Sequence, residues 1–261
     1  MARGGIRLVG VFAHPDDDVY SIGGSLAVER DALDVTLVFC TSGDAGPIWI
    51  DGVEPGELGP VREREQAASI AALGVDADVR FLRHPDYHLP EVPLEQLVGQ
   101  IQEVLRQVRP HVVVTFGPDG WSGHHDHARA GEATDAAFER ARAGWDAAPR
   151  LLHVGTPRSV AERFDAELRA AGNTDREARS LLALQGVPDE DVAIAVDTRP
   201  VRDTKLAGIE AHRTQIGELE RIPEALRWIV LDTEWFVQAW PERPAKPAAP
   251  AASLVGWVSD A

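Results

Sequence analysis

Apolar residues along this chain fall into short runs separated by polar turns. The runs at 6–12 (IRLVGVF), 34–40 (DVTLVFC), 78–82 (DVRFL), 111–116 (HVVVTF), 150–154 (RLLHV) and 191–196 (DVAIAV) each read as a strand. The first run is short, β-branched and does not alternate, the pattern of a strand buried on both faces of a parallel sheet. Longer polar-apolar stretches between the runs predict helices at 21–30, 60–73, 93–109, 126–143 and 201–219, and two charged helices within 160–185 broken at Gly172-Asn173. Pro60 opens the second of these helices and Gly74 stops it. Asp126 is a natural cap for the fourth. Strand and helix alternate throughout, so the expected fold is α/β, a Rossmann-like three-layer sandwich with a mostly parallel sheet and an elaborated C-terminal part. A single catalytic domain is expected over 1–240, followed by a Pro/Ala-rich tail over 241–261, extended across 241–252. The loop over 41–59 is long for a compact domain, a sign of function or mobility.

Composition narrows the partners. Of 261 residues 44% are hydrophobic, enough for a sizeable core. The formal net charge of −16 argues against a phosphate-tracking nucleic-acid binder and against a polybasic membrane anchor. Cys40 is the only cysteine, so no intramolecular disulfide forms and a metal site must use histidine and carboxylate; we read it as a small core residue. No apolar stretch approaches the ~18 residues of a membrane span, and the N-terminal run is too short for a signal peptide. The expectation is a cytoplasmic protein with no membrane or nucleic-acid partner.

The chemistry sits where two strands end. The first run leads into Ala13-His14-Pro15-Asp16-Asp17-Asp18. His14 and Asp17 offer one nitrogen and one oxygen of the kind zinc accepts, with Asp16 between them placed for a metal-bound water. The same residues also fit a solvated acidic turn capping the next helix. A hundred residues on, the run at 111–116 leads into Gly117-Pro118-Asp119-Gly120-Trp121-Ser122-Gly123-His124-His125-Asp126-His127, with three of the nine histidines inside four positions. Open α/β sheets bind ligands beyond the carboxyl ends of their strands, so the two loops can meet at one site. No G-x-G-x-x-G turn follows the first strand, which excludes a dinucleotide fingerprint, and no G-x-S-x-G elbow surrounds Ser122.

Together these motifs resemble the LmbE/PIG-L family of zinc-dependent N-deacetylases. AHPDD at 13–17 matches the family's first motif and GHHDH at 123–127 its second, with His125 in place of the usual proline. Arg62-x-x-Glu65 followed by Leu73-Gly74-Val75 resembles the family's R-x-x-E helix, and Lys205 with Ala211-His212-Arg213-Thr214-Gln215 its late K…AH-x-[ST]-Q segment. The resemblance implies one Zn2+, or another divalent ion, held by His14, Asp17 and His127, with a fourth position open to water. It implies Asp16 as general base, His124 as general acid or oxyanion stabiliser, with His125 as its rival, and Asp126 as the group orienting a neighbouring histidine or capping its helix. It also implies a small-molecule partner, an N-acylated amino sugar or conjugate, and family members often form homo-oligomers.

Amide hydrolysis needs an activated water, charge stabilisation at the carbonyl oxygen and a proton for the leaving amine, and these residue types supply all three. Arg62 and Asp86 are candidates to bind the substrate, with an exposed helix residue as the alternative for Arg62. His212 either reaches the site from the late helix or is a satisfied core or surface histidine. Trp49 and Trp121 are candidates for sugar contact. Three functions remain open at this point: an N-deacetylase acting on an amino sugar, an amidase acting on a thiol-sugar conjugate such as a mycothiol conjugate, and a non-catalytic metal-stabilised sugar-binding protein.

Overall fold

The computed structural model of the chain describes residues 5–145, 149–173, 184–242 and 249–259, apart from the side chains at 218 and 259. Strands β1 (Ile6–Phe12), β2 (Leu33–Thr41), β3 (Ala77–His84), β4 (Val112–Phe116) and β5 (Arg150–Val154) are all parallel neighbours, in the order β3-β2-β1-β4-β5. β1 pairs with β2 from Ile6↔Leu33 to Phe12↔Phe39 and with β4 from Leu8↔Val112 to Gly10↔Val114. The chain runs outward from β1 through β2 to β3, then crosses back to β4 and continues to β5. The order therefore reverses between β1 and β4, and a doubly wound sheet opens its binding crevice at that reversal.

Burial explains why these runs became strands. Every residue of β4 is buried, as are the last five of β1. Phe12 packs edge-on against Phe116 at 5.5 Å between ring centres. Helices α1 (Asp17–Ser21) and α2 (Gly23–Glu29) follow β1, and α3 (Leu58–Leu73) links β2 to β3. α3 stops at Gly74, whose φ of 68° is the left-handed cap that favours glycine. α4 (Leu94–Val108) buries Leu97, Val98, Ile101, Val104 and Leu105, the i, i+3, i+4, i+7 stripe of an amphipathic helix, each contributing about 2 kcal/mol on burial. After a short α5 (Gly120–Gly123), α6 (His125–Arg142) packs against α4, and both lie on β1.

Beyond β5 the chain elaborates. β6 (Thr156–Pro157) and β7 (Gly186–Val187) pair as a separate ribbon, with α7 (Arg158–Ala170) between them. β8 (Val192–Asp197) is followed by α8 (Arg202–Glu210), α9 (Gly217–Glu220), α10 (Glu224–Leu231) and β9 (Thr233–Trp240). β9 inserts antiparallel between β5 and β8, completing the seven-stranded order β3-β2-β1-β4-β5-β9-β8. α8 packs against α2 and α3, so helices flank both sides of a mostly parallel sheet, as the sequence pattern implied. Lys205 of α8 and Glu234 of β9 form a fully buried ion pair at 2.7 Å. Glu234 also accepts hydrogen bonds from Gly24 N, Ser25 N and Ser25 Oγ, which ties α2 to β9.

Three details differ from the sequence pattern. No strand was expected at β9, where polar Glu234 and Gln238 interrupt the apolar residues. The predicted helix over 201–219 breaks after Glu210, because Glu65 takes both the Thr214 backbone N–H (2.8 Å) and its hydroxyl (2.6 Å) and holds that segment in a turn. The third concerns the C-terminus: Ala251 bridges to Ile194, and α11 (Leu254–Ser259) returns to the body, with Arg150 over the Trp257 ring at 4.1 Å. The central part of the expected extended tail, 243–248, and the second of the two helices expected within 160–185 lie outside the described residues. Among the described residues no helix is long and apolar enough to cross a membrane.

Candidate active site

The loop after β1 is built by its own carboxylates. Asp17 Oδ2 accepts the backbone N–H groups of Ala13 (3.1 Å) and His14 (2.7 Å), closing the strand end into a tight turn. This leaves Asp17 Oδ1 facing outward, 3.1 Å from His127 Nε2. Asp16 sits at φ 109°, a left-handed conformation that aspartate and asparagine tolerate better than most side chains. Arg62 fixes it from α3: its guanidinium donates to the carbonyls of Pro15 (2.5 Å) and Gly43 (3.1 Å) and lies 3.1 Å from Asp16 Oδ2.

The loop after β4 reaches the same point because α6 starts there. Gly131 lets α6 lie directly on the end of β4; a Cβ at that position would stand 2.4 Å from the Phe116 carbonyl oxygen. The helix is capped by His124, whose Nδ1 accepts the Asp126 backbone N–H at 3.2 Å. His124 Nδ1 must therefore be unprotonated, which puts the proton of the neutral ring on Nε2. His127 stacks on Phe116 at 4.2 Å, and its Nδ1 lies 3.1 Å from the Gly120 carbonyl. A donor at Nδ1 leaves the Nε2 lone pair free to point at Asp17 and His14.

His14 completes the arrangement. Its Nε2 faces Asp86 Oδ1 at 3.0 Å and Asp126 Oδ2 at 3.4 Å, so it carries the proton on that side. Its Nδ1 lies 3.2 Å from His127 Nε2 and 3.5 Å from Asp17 Oδ2. Two imidazole lone pairs and a carboxylate thus converge on one point. Bonds of about 2.0–2.1 Å in a tetrahedral ion site separate neighbouring donors by about 3.3 Å; the two histidine nitrogens match that spacing at 3.2 Å, and Asp17 approaches it with Oδ1 toward His127 and Oδ2 toward His14. The residues present fit a divalent cation. One ring nitrogen each of His14, His124 and His127 also lie within 4.8 Å of one another. The other two carboxylates near His14 are also held by backbone N–H groups. Asp126 is taken by the N–H groups of Tyr87 (2.7 Å) and Leu89 (3.1 Å), and Asp86 by that of Ala45 (2.8 Å).

The electrostatics follow from this packing. Burial opposes a charged His14, but Asp17, Asp126 and Asp86 outweigh it and hold its pKa well above the ordinary histidine value. Burial would likewise raise Asp17, yet His127 and His14 hold it well below the usual carboxylate range. Asp86 is held down to about 2, burial being outweighed by its contact with His14. His124 is pushed down to about 4 by burial and by the neighbouring His14 and His127, which keeps its ring neutral.

A polar cavity of about 430 Å³ opens over these groups. His14, Asp16, Asp17, Arg62, Asp86, His124 and His127 all line it, as do Tyr87, Ser122, His125 and Gln215. The loop after β2 forms one wall and is pinned there by Gln215 Nε2 donating to the Pro47 carbonyl at 2.7 Å. His125 points to the rim, where its Nε2 lies 2.8 Å from the Tyr87 carbonyl, whereas the His124 ring lies 4.9 Å from both His14 and His127. Tyr87 is 60% exposed and stands edge-on over His125 at 4.5 Å. Sequence reasoning missed it, although it follows Asp86 in a loop beyond a strand end, the same position as the two motifs. Asp126 lies behind His14 and does not line the cavity. His212 is not brought to the cavity wall: it is 1% exposed, neither ring nitrogen has a partner among the described residues, and burial pushes its pKa down to about 3. Trp49 is likewise off this wall, under Arg221 at 4.4 Å.

Comparison with known proteins fits this geometry. The family model described as PIG-L: GlcNAc-PI de-N-acetylase matches residues 9–138, which carry both motif loops. The 1D-myo-inositol 2-acetamido-2-deoxy-alpha-D-glucopyranoside deacetylase of Acidothermus cellulolyticus is 34% identical over 237 residues, covering 79% of this chain and 78% of that protein. The chain belongs to the PIG-L family. The protein of the same name from Streptomyces avermitilis is 36% identical over 246 residues, covering 80% and 83%. As a PIG-L protein the chain is a deacetylase. Among solved structures, the N,N'-diacetylchitobiose deacetylase of Pyrococcus horikoshii shares the fold with a TM-score of 0.59 at 20% identity, over 90% of this chain and 84% of that one. A 4-carboxy-2-hydroxymuconate hydratase from Pseudomonas putida matches with a TM-score of 0.64, also at 20% identity, over 93% and 100%. The PIG-L fold thus carries more than one chemistry, and the site rather than the fold decides between them.

Proposed function

We propose that this enzyme removes the acetyl group from a 2-acetamido-2-deoxy-glucopyranoside linked to inositol, using one Zn2+ held by His14, Asp17 and His127. The observation that carries the reading is the convergence of His14 Nδ1, His127 Nε2 and Asp17 Oδ1/Oδ2 at 3.1–3.5 Å, each oriented by a partner on its far side. The names of the relatives supply the substrate class. Two histidines and a carboxylate leave a fourth position open, as catalytic zinc sites do, although oxygen-nitrogen sites also accept other divalent ions.

When bound, the ion supplies Lewis acidity, polarising the amide carbonyl and acidifying water. Asp16, held by Arg62, takes the proton of the attacking water. The neutral His124 ring, with its proton on Nε2, donates to the oxygen that becomes negative as the carbonyl is attacked. The N-terminus of α6 lies at the same place and favours that negative charge. Asp16 then returns its proton to the leaving amine, a transfer worth about 10²–10⁴ in rate. Asp126 and Asp86 keep His14 in the tautomer that leaves Nδ1 unprotonated. Arg62 and Asp86 face the cavity that receives the sugar. A buried lone thiol at Cys40 suits a reducing cytoplasm.

The test is release of free amine from the N-acetylglucosaminyl-inositol by protein stripped with a chelator and reloaded with Zn2+. Turnover that disappears on stripping and returns on reloading supports the proposal. Binding of the sugar without any amine released by the loaded protein favours the non-catalytic reading instead. Both sequence relatives described above are named deacetylases, which leaves the thiol-conjugate amidase without support.

A further inference from the structure

A second cavity, of about 130 Å³, opens on the other side of the reacting centre. Asp16, Asp17, Ser122 and His127 wall both cavities, so the two meet at the candidate ion site. Apart from Tyr20, the rest of the second cavity is apolar, with Trp121, Phe164, Leu219, Ile222, Val230 and Leu231 among its walls. These come from α5, α7, α9, α10 and the turn between the last two, that is, mostly from the C-terminal elaboration. Phe164, Leu219, Ile222 and Leu231 are buried, and Trp121 is held in place by its Nε1 donating to Thr156 Oγ1 at 3.0 Å. The pocket is therefore preformed.

The carbon attacked in an amide carries two substituents that point apart, the acyl chain and the nitrogen with its sugar. The large polar cavity suits the sugar. Away from the reacting centre the small one offers a sugar little besides the Tyr20 side chain; its other walls are aliphatic or aromatic. An apolar cavity of about 150 Å³ holds a benzene, so this one takes roughly five carbons. An acetyl methyl would fill only its mouth.

We propose that the second cavity is an acyl pocket, and that the enzyme cleaves N-acyl amino sugars with chains of up to about six carbons at least as well as the acetyl compound. This deepens the hydrolytic reading above and rests on it. Burial of one methylene is worth about fourfold in binding, so N-hexanoyl should exceed N-acetyl in kcat/KM by on the order of tenfold or more.

The experiment measures amine release by the Zn2+-loaded full chain from N-acetyl-, N-butyryl-, N-hexanoyl- and N-decanoyl-glucosaminyl-inositol, and from the hexyl glycoside of N-acetylglucosamine. The expected result is a rise in kcat/KM to hexanoyl and a fall at decanoyl. Val230→Phe should lower the hexanoyl-to-acetyl ratio at least tenfold, and Val230→Ala should move the optimum to a longer chain. If the acetyl compound is cleaved but hexanoyl runs at a tenth of its rate or less, the acyl pocket is refuted while the deacetylase stands. A faster hexyl glycoside with no gain from longer acyl chains overturns it in favour of an aglycone site. Release of no amine from any compound brings down the hydrolytic reading and this one with it.

Discussion

Replacing Asp16 by asparagine separates proton transfer from everything else this residue does. Its backbone sits at φ 109°, ψ −27°, a region that costs most L residues about 1–2 kcal/mol and asparagine and aspartate least. Asparagine therefore keeps the turn, and its amide oxygen remains an acceptor for Arg62, which retains the Pro15 and Gly43 carbonyls as well. Loss of the negative charge beside Arg62 should cost about 1–2 kcal/mol, a fall in Tm of about 2–8 °C. Loss of the base should cost 10²–10⁴ in kcat, or about 2.7–5.4 kcal/mol of barrier. Asp16→Ala should lose the same activity and roughly a further 1 kcal/mol of stability from backbone strain. Bound metal by mass spectrometry, kcat by amine release and Tm by scanning fluorimetry measure the three quantities on the same protein. A variant that keeps its metal and more than a tenth of wild-type kcat refutes the assignment. One that loses metal in step with activity makes Asp16 part of the ion site instead.

Other consequences are open to direct measurement. Lys205→Met leaves the Glu234 carboxylate buried without its countercharge and should cost about 3–5 kcal/mol, seen as a lower urea midpoint, with kcat of the folded protein within twofold; an unchanged midpoint would show the pair is not holding α8 to β9. Burial, with the charges of Asp17 and Asp126, pushes the Cys40 thiol up to about 12, so a thiol reagent at pH 8 should label it only after unfolding, and rapid labelling of native protein contradicts its placement in the core. In metal-free protein His14 has a raised folded pKa, so its stabilisation is complete below the unfolded value near 6.5 and fades as pH rises through the folded one. The Tm of chelator-treated protein should therefore fall through alkaline pH, and a rise over that range would contradict the sign. Conversely, Zn2+ must displace the His14 proton, so its affinity should climb about tenfold per pH unit while His14 is protonated; a flat dependence from pH 6 to 7.5 excludes this.

The parts of this molecule that could be read from the sequence are those where one interaction dominates. β1 and β4 are buried on both faces, so hydrophobicity alone marks them, and the polar groups crowded at their ends stood out against that background as either caps or chemistry. α4 showed its stripe for the same reason. The elements that escaped are settled by distant partners. β9 alternates weakly because it lies between β5 and β8, with a buried carboxylate at Glu234 that only makes sense once Lys205 is beside it. The turn at 211–216 carries a helical sequence that Glu65, about 150 residues earlier, pulls out of helix. Both supporting motifs turn out to hold loops as well as to reach the cavity: Arg62 grips the Asp16 turn, Glu65 the Thr214 turn, and Gln215 the loop after β2, while Arg62 and Gln215 also line the open space. The apolar pocket was invisible because its apolar walls come from many separate segments, none with a readable signature.

The position of β9 has a bearing on how the chain is made. It follows all the other described strands in the chain, yet it lies inside the sheet rather than at its margin. Until residue 240 has been synthesised, β5 presents an unpaired edge and β8 has no neighbour in the sheet, an open template for other nascent chains. Translation halted before Thr233 would leave such a product, and a cell making this enzyme has to shield it until β9 itself emerges.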